Sequence, residues 1–481
     1  MSSTTTVDAV GAANECVRTM ITRIEIDGFK SFDRFELALP PFAVIFGVNA
    51  VGKSNLFDAL RLLSNLATMD VRSAMQDLRG EPPEMFRRTA DGKPTERMKF
   101  AVETLLDPKG RDPYGQDLEL ACTRIRYEVT VQRRRSQGID RMFVIDERAN
   151  RIKREEDRWL PNGRKLSKAF ADVFVKRRRN TPFIDTQASN SDQPQFTIHQ
   201  DGHQGRRVRH IPAHSAERTV LSSVTTAEFQ HLYALRDELG SLRYLQLDPA
   251  AERRPSDLDA PDMLLPDGSN LAAVLFRIQA ETASPTEPKG AIADVLADLS
   301  EIVPGVIDLN VVRDEHRREY RLDIKVRDGL ELSSRVVSDG TLRVLALMTL
   351  LHDPTQRGVI CFEEPENGVH KRRLQSLIRK LKDACADPHA VEVDEDAPLL
   401  QMIVNSHSPV VAQTVRDELI LAEMVDSFDP MRRSGTTRRT IMRSVCLSEQ
   451  SELDLGEPRR SVTASELDRI VSVEDASEFA A

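Results

Sequence analysis

The stretch that decides the fold is Gly47-Val48-Asn49-Ala50-Val51-Gly52-Lys53-Ser54. It fits the pattern G-x-x-x-x-G-K-[ST], in which a glycine-containing loop lies between a strand and a helix and cradles phosphates. The apolar run 42–46 before the loop predicts a buried strand, and the apolar spacing over 56–66 predicts a helix after it. Because strand, loop and helix follow in the order that phosphate binding requires, we predict a phosphate-binding loop at 47–54.

The residue types in this loop suit a nucleotide with its metal ion. Gly47 and Gly52 lack the Cβ that would block a phosphate chain, and backbone N–H groups at a helix start point towards one place. Lys53 supplies a positive charge for the β- and γ-phosphates, and the Ser54 hydroxyl can hold Mg²⁺. The expected nucleotide-binding residues of this segment are Gly47, Asn49, Gly52, Lys53, Ser54 and Asn55.

Length and composition limit the class of protein. The chain has 481 residues, 40% hydrophobic and 30% charged, which is enough for two or three globular domains. Its longest apolar run, 344–351, is too short to span a membrane, and residues 1–19 predict a mobile tail rather than a signal peptide. The five cysteines show no metal-binding or paired spacing, which favours reduced thiols and a cytoplasmic protein.

Charge is unevenly distributed along the chain. The net charge is −9, yet residues 121–220 contain 22 Lys and Arg against 12 Asp and Glu, a local charge of +10. Much of this charge lies in three arginine-rich clusters, at 133–135, 151–154 and 176–179. Such a region favours a polyanionic partner such as DNA, while a solvated charged surface explains it equally well.

Two carboxylates follow a second predicted buried strand, at 359–362. The strand ends in Glu363-Glu364-Pro365-Glu366. One carboxylate at the end of such a strand can hold the metal of a nucleotide, and the next can orient and deprotonate the attacking water. We therefore expect Glu363 to be a metal ligand and Glu364 the general base; an acidic loop without function is the alternative.

Two further motifs extend the candidate site. Ser338 and Gly340 precede an apolar helix at 342–351, and a serine with a nearby glycine at a helix start makes a second anion site. Helix capping alone would also explain the serine. His407 follows an apolar strand at 402–404, where its imidazole could hydrogen-bond a γ-phosphate. The catalytic residues expected from these motifs are Glu364, Lys53 and His407.

This order of motifs resembles the ABC-type ATPases. More narrowly it resembles the branch that contains the structural-maintenance-of-chromosomes (SMC) proteins, RecF and the OLD nucleases. The chain is also similar to bacterial "AAA family ATPase" proteins that are often encoded in phage-defence loci. The segments that carry these resemblances are 26–32, 338–343, 363–370 and 405–409.

The resemblance implies roles for several residues. Ser338 and Gly340 would contact a γ-phosphate bound by a second subunit, and His407 would be the switch histidine. Residues 367–370 would lie where two subunits cross. Gln76 is a candidate for the Q-loop glutamine. The chain departs from its relatives at three positions, with Ala50 and Asp339 in place of glycines and Glu363 in place of an aspartate.

The expected fold class is α/β. It is an ABC-type P-loop ATPase head, with a mixed sheet, an antiparallel β subdomain and a helical lobe, and with an inserted basic α+β region. The expected divisions are a tail at 1–19, an N-terminal ATPase lobe at 20–145, the basic insertion at 146–265, a C-terminal ATPase lobe at 266–430 and an extension at 431–481.

The expected function is ATP binding and hydrolysis, with ATP and Mg²⁺, by a homodimer or higher head-to-tail assembly. The assembly would act as a nucleotide-driven switch in anti-phage defence with a separate effector such as a nuclease. The alternative is a RecF-like repair ATPase that binds DNA through the basic insertion.

Three other functions are disfavoured. A transport ATPase would be more compact, since Ser338 lies 291 positions after Gly47, and no stretch docks on a membrane. A self-contained OLD-like nuclease would need more than the 74 residues that follow His407. The intact Lys53 and Glu364 argue against an inactive binding module.

A zinc site is an alternative interpretation of one loop that contains no cysteine. Its ligands would be His199, His203, His210 and His214.

Overall fold

The computed structural model describes residues 19–112, 114–159, 165–188, 194–201, 208–213, 215–356, 358–394, 399–428, 436–446, 461–463 and 465–470. Residues 1–18, which belong to the expected tail, lie outside these ranges, as does most of 447–481. In the described ranges, no helix combines the length and the apolar character that crossing a bilayer requires.

The strands are β1 (Thr19–Asp27), β2 (Phe35–Ala38), β3 (Phe42–Phe46), β4 (Arg97–Leu106), β5 (Lys109–Arg111), β6 (Asp117–Glu119), β7 (Arg124–Ser136), β8 (Ile139–Arg151), β9 (Ile184–Ala188), β10 (Pro194–His199), β11 (Val208–Pro212), β12 (Arg243–Leu245), β13 (Ser256–Asp257), β14 (Val306–Asp314), β15 (Glu319–Val326), β16 (Glu331–Ser333), β17 (Gly358–Glu363), β18 (Leu400–Ser406), β19 (Leu419–Phe428), β20 (Thr436–Cys446) and β21 (Ser461–Thr463). The helices are α1 (Lys53–Leu66), α2 (Val71–Gln76), α3 (Lys168–Phe174), α4 (Gln230–Gly240), α5 (Pro249–Glu252), α6 (Leu271–Thr282), α7 (Ile292–Ile302), α8 (Asp339–Leu351), α9 (Lys371–Asp383) and α10 (Pro409–Thr414).

An antiparallel sheet forms one layer of the molecule. Its strand order is β11-β10-β9-β8-β7-β4-β1-β2. In β7, Ile125, Tyr127, Val129 and Val131 are all buried, as their alternation with polar residues predicts. A sheet with one buried and one wet face produces this period of two, because successive side chains point to opposite faces.

A second, mixed sheet is the core of the molecule. Its order is β12-β17-β18-β3-β19-β20-β21, and the first five strands run parallel. The apolar runs predicted at 42–46, 359–362 and 402–404 are its central strands β3, β17 and β18. Because these strands are parallel neighbours, their carboxyl ends meet at one edge, and the loops that follow them converge there.

The two faces of the core sheet bury different partners. On β3, Ala43 and Ile45 pack in a cluster with α1 and the antiparallel sheet. Phe42, Val44 and Phe46 pack instead with the helices α6 to α9, which form a helical lobe together with the small sheet of β13 to β16. The result is a layered α/β head, so the predicted combination of mixed sheet, antiparallel β subdomain and helical lobe is confirmed.

Residues 146–265, expected as an inserted basic region, extend both large sheets. β8 runs through the expected boundary at 145/146, and β9 to β11 continue the antiparallel sheet beyond it. β12 adds an edge strand to the core sheet beside β17. On the other side of that sheet, β20 pairs with β19 and brings part of the expected C-terminal extension against the core.

Candidate active site

The predicted phosphate-binding loop joins β3 to α1. Gly52 caps α1 with a φ of 98°, a left-handed conformation that glycine adopts without strain. A Cβ on Gly47 would lie 2.5 Å from the carbonyl oxygen of Ala422, and one on Gly52 would lie 2.1 Å from Thr440 Oγ1. Both glycines are therefore required by close packing as well as by the phosphate chain that the loop would hold.

The ammonium group of Lys53 lies inside the loop. Its Nζ donates hydrogen bonds to the carbonyl oxygens of Gly47 and Val48, the latter at 2.9 Å. The side chain is 8% exposed, although Val48 at the loop tip is 54% exposed. Lys53 thus places a positive charge at the concave side of the loop, where an anion would enter.

A chain of hydrogen bonds braces the loop from outside. Asn55 Nδ2 donates to Ser31 Oγ at 2.8 Å, and the Ser31 and Thr440 hydroxyl oxygens are 2.6 Å apart. Thr440 Oγ1 in turn donates to the carbonyl oxygen of Val51 at 2.8 Å. Asn55, expected to contact nucleotide, therefore joins α1 to the turn at 31 and to β20, while Asn49 is exposed at the loop tip.

Three carboxylates and two cations surround the end of β17. Arg79 lies 3.3 Å from Glu363 Oε1 and 3.9 Å from Asp58 Oδ1, and Lys30 Nζ lies 2.6 Å from Asp58 Oδ2. Burial raises the pKa of Glu363; the Arg79 guanidinium opposes the rise, and the neighbouring Glu364 and Asp58 carboxylates add to it. A buried carboxylate with a raised pKa is stabilised in its charged form by a nearby cation, which fits the expected role of Glu363 as an Mg²⁺ ligand.

Glu364 has an unusual backbone conformation that several contacts hold in place. Its φ is 52°, in the left-handed region. Its N–H donates to the carbonyl oxygen of Asn405 at 2.8 Å, and its own carbonyl accepts from Arg343 at 2.9 Å. Asn367 Nδ2 donates to the carboxylate at 2.7 Å, and His407 Nδ1 lies 3.6 Å from the other carboxylate oxygen. The carboxylate expected to act as a base is thus fixed beside the histidine.

The strand register brings the predicted groups to one place. Glu363 is opposite Asn405 on β18, and Asn405 is opposite Ile45 on β3. Neighbouring strands are about 4.8 Å apart, so the three loops start within roughly 10 Å of one another. The phosphate-binding loop, the carboxylate pair and His407 therefore share one edge of the core sheet.

Ser338 and Gly340 lie on the flank of this edge. The Ser338 hydroxyl caps α8 by accepting the Thr341 N–H at 3.3 Å. A Cβ on Gly340 would lie 2.1 Å from the carbonyl oxygen of Gly368, so the start of α8 packs directly against 363–370. The neighbouring Asp339 pairs with Arg253.

Gln76 ends α2, is exposed and lines a cleft with Arg141 and Glu217. Three residues after Gln76, Arg79 reaches the carboxylates of Glu363 and Asp58. The sequence analysis did not single out Arg79. Asp58, Glu366 and Thr440 were also missed. Asp58 could have been found because it lies four positions after Ser54, on the same face of α1.

The zinc alternative falls largely outside the described part of the chain. His203 and His214 lie outside it. His199 and His210 lie on β10 and β11, and the described residues contain no group of three or more His, Cys, Asp or Glu side chains arranged to hold a metal. The expected Mg²⁺ site differs because phosphate and water oxygens supply most of its ligands.

Residues 42–412 match the family described as "AAA domain, putative AbiEii toxin, Type IV TA system". Among curated proteins, none gives a significant sequence match. The solved structures that the chain resembles include an SMC head bound to the C-winged helix domain of ScpA (10% identity, 88% of this chain and 97% of that chain, TM-score 0.45), the Pyrococcus yayanosii Smc head domain with a coiled coil and joint (10%, 96% and 100%, 0.44) and the Thermotoga maritima SMC head domain (12%, 89% and 99%, 0.38).

The family match spans well over half of the chain. It includes the phosphate-binding loop, the carboxylate pair and His407, which lie together after adjacent parallel strands at one edge of the core sheet. The chain therefore belongs to this family of AAA domains and is a nucleotide-binding P-loop ATPase domain.

Proposed function

We propose that this protein hydrolyses ATP with Mg²⁺ and works as a nucleotide-driven dimer. The observation that supports this proposal is the convergence of the phosphate-binding loop, the carboxylate pair and His407 after three adjacent parallel strands. Bound Mg²⁺ would neutralise charge on the phosphates, with Ser54 and Glu363 as its protein ligands. Glu363 fits this role because it already faces a cationic group in Arg79, and Ser54 lies in the first turn of α1 directly after Lys53.

The remaining residues would act on the attacking water and on the γ-phosphate. Glu364 accepts the proton of the water as general base, and Asn367 holds its carboxylate. Lys53 keeps its charge at the concave side of the loop and stabilises charge on the phosphates. His407 Nδ1 lies 3.6 Å from Glu364 Oε1, and its imidazole would contact the γ-phosphate.

The proposed dimer is closed head to tail. Ser338 caps the buried helix α8 on the flank of the site. The resemblance to ABC-type ATPases implies that it would contact a γ-phosphate bound by a second subunit. Two exposed apolar side chains accompany the two halves of such a site. Val48 at the loop tip is 54% exposed, and Val336, two residues before Ser338, is 67% exposed. Closure would remove both from water.

Two variants test this function. Glu364→Gln removes the base but keeps the loop, so we expect it to bind ATP, to dimerise and to hydrolyse ATP on the order of 10²-fold more slowly than the wild type. Lys53→Ala should lose ATP binding. Steady-state ATPase assays and sedimentation with and without ATP measure both effects. Hydrolysis by Glu364→Gln at the wild-type rate would rule out the assigned base.

For the biological process we propose anti-phage defence with a separate effector protein. Two points support this proposal. The description of the matched family names a putative toxin of a type IV toxin–antitoxin system, and the chain resembles ATPases of phage-defence loci. Plating efficiency of phage on cells that carry the gene with its neighbours, wild type against Lys53→Ala, tests it. Equal plating on both strains would contradict a nucleotide-dependent defence role.

A DNA-binding ATPase is the second candidate, and the distribution of arginines favours one surface for it. Arg177 pairs with Asp157, and Arg179 pairs with Asp201, so these two arginines of the 176–179 cluster are directed to intramolecular partners. Arg135 and Arg141, at the tip of the β7–β8 hairpin, are exposed. DNA affinity that falls steeply with salt and is weakened by charge reversal at Arg135 and Arg141 would support this function.

A further inference from the structure

Glu366, two residues after the proposed base, fixes the loop that carries His407. Its Oε1 atom accepts three hydrogen bonds: from Ser406 Oγ at 2.8 Å, from the His407 N–H at 2.9 Å and from the Ser408 N–H at 3.2 Å. These donors belong to three successive residues. One oxygen therefore determines the backbone course of the loop and the point from which the imidazole extends.

Burial of the Glu366 carboxylate costs free energy, and only one of its two oxygens accepts hydrogen bonds. The Glu366 side chain is 9% exposed, and its second oxygen, Oε2, is buried without a hydrogen-bond partner. A buried carboxylate is tolerated where strong hydrogen bonds hold it, and all of those bonds converge here on the histidine loop. The arrangement indicates a role in that loop rather than a general packing role.

The same oxygen lies next to the imidazole itself. His407 Nδ1 is 3.3 Å from Glu366 Oε1 and 3.6 Å from Oε1 of Glu364. The histidine thus lies between the proposed base and Glu366. Because Glu364 and Glu366 belong to one turn after β17, a shift of that turn moves the base and the histidine loop together.

We infer that Glu366 is a positioning residue that holds His407 in register with the base Glu364. The inference rests on the proposed ATP hydrolysis. Glu366 acts as a hydrogen-bond acceptor that links the loop after β17 to the loop after β18. Its effect on hydrolysis passes through the geometry of His407 and not through contact with the nucleotide.

Two substitutions test whether Glu366 acts as a hydrogen-bond acceptor or through its charge. Glu366→Gln keeps a carbonyl oxygen for all three donors and places its amide nitrogen where the partnerless Oε2 lies. Glu366→Ala removes the acceptor. We expect Glu366→Ala to lower kcat on the order of 10²-fold, the effect of a displacement near 1 Å, with KM for ATP changed less than about threefold. Glu366→Gln should retain at least about one third of the wild-type kcat.

The control is Glu301→Ala, because Glu301 is an exposed carboxylate on α7 that pairs with Lys380. Melting temperatures establish that each variant is folded at the assay temperature. A kcat of Glu366→Ala within twofold of the wild type, or a Glu366→Gln as slow as Glu366→Ala, overturns the positioning role. If the wild type itself fails to hydrolyse ATP, the proposed function fails first, and that result is distinct from either outcome.

Discussion

Glu364 shows how one residue can be held in a strained conformation at a site of chemistry. A left-handed φ costs a residue other than glycine about 1–3 kcal/mol. Contacts from three segments offset that cost: Asn405 accepts its N–H, Arg343 binds its carbonyl oxygen, and Asn367 binds its carboxylate. Because these segments come from β18, α8 and the turn itself, the proposed base is positioned by the whole of this edge.

Glu252 is a buried carboxylate whose ionisation should destabilise the folded protein, and this effect should depend on pH. Both of its carboxylate oxygens are buried without hydrogen-bond partners, and burial raises its pKa from 4.5 to about 7. The folded protein therefore keeps the proton that the unfolded chain loses near pH 4.5. Stability is consequently lost as the pH rises from about 4.5 to about 7. Glu252→Gln stays neutral, so we expect it to exceed the wild type in stability at pH 8, by about 3 kcal/mol at most.

Urea denaturation of the wild type and Glu252→Gln at pH 5 and pH 8 measures this difference. The buried Glu147 also has a pKa raised to about 7, but it is present in both proteins and cancels in the comparison. Glu301→Gln serves as the exposed control. An equal difference between wild type and variant at the two pH values would show that Glu252 does not titrate in this range.

Local sequence patterns predicted the elements that make the site, while pairing between distant segments escaped them. The alternation in β7 and the run of β3 are properties of a few adjacent residues, so they could be read directly. The pairing of β12 with β17 has no comparable signal, because the two strands come from distant parts of the chain. Arg79 was missed for the same reason, since its partner Glu363 lies 284 positions away.

β20 supports the candidate site through one residue, Thr440. Thr440 donates to the Val51 carbonyl oxygen and meets the Ser31 hydroxyl, so it holds the outer side of the phosphate-binding loop. Thr440→Val keeps the shape and removes both hydrogen bonds, each worth about 0.5–1.5 kcal/mol. We expect the Kd for ATP to rise about tenfold while kcat at saturating ATP stays near the wild-type value.

Calorimetric titration with a nucleotide analogue measures the affinity of Thr440→Val. Thr437→Val is its matched control, because Thr437 lies on the same strand and accepts a hydrogen bond from Arg87 away from the loop. An unchanged Kd in Thr440→Val would mean that β20 supports the sheet but not the loop.

At the scale of the whole molecule, the proposed dimer would need one half of a nucleotide site on each of two surfaces. The phosphate-binding loop and its carboxylates lie at the end of the core sheet, and Ser338 lies at the start of α8 on the flank. The close packing of Gly340 on Gly368 ties the second surface to the turn that carries Glu364. A ligand held by Ser338 would thus act on the base of its own subunit through this contact.

Mixing two inactive variants tests whether the two halves meet between subunits. Lys53→Ala keeps Ser338 but removes the ammonium group that the phosphate-binding loop needs. Ser338→Arg keeps the loop but blocks the start of α8. Each variant alone should therefore be inactive. A head-to-tail dimer of one with the other contains one complete site. Random pairing of equal amounts makes half of the dimers mixed, so we expect about a quarter of the wild-type ATPase rate. Activity that stays at the background of the separate variants at every mixing ratio, with both proteins folded, would mean that Ser338 does not complete a partner's site.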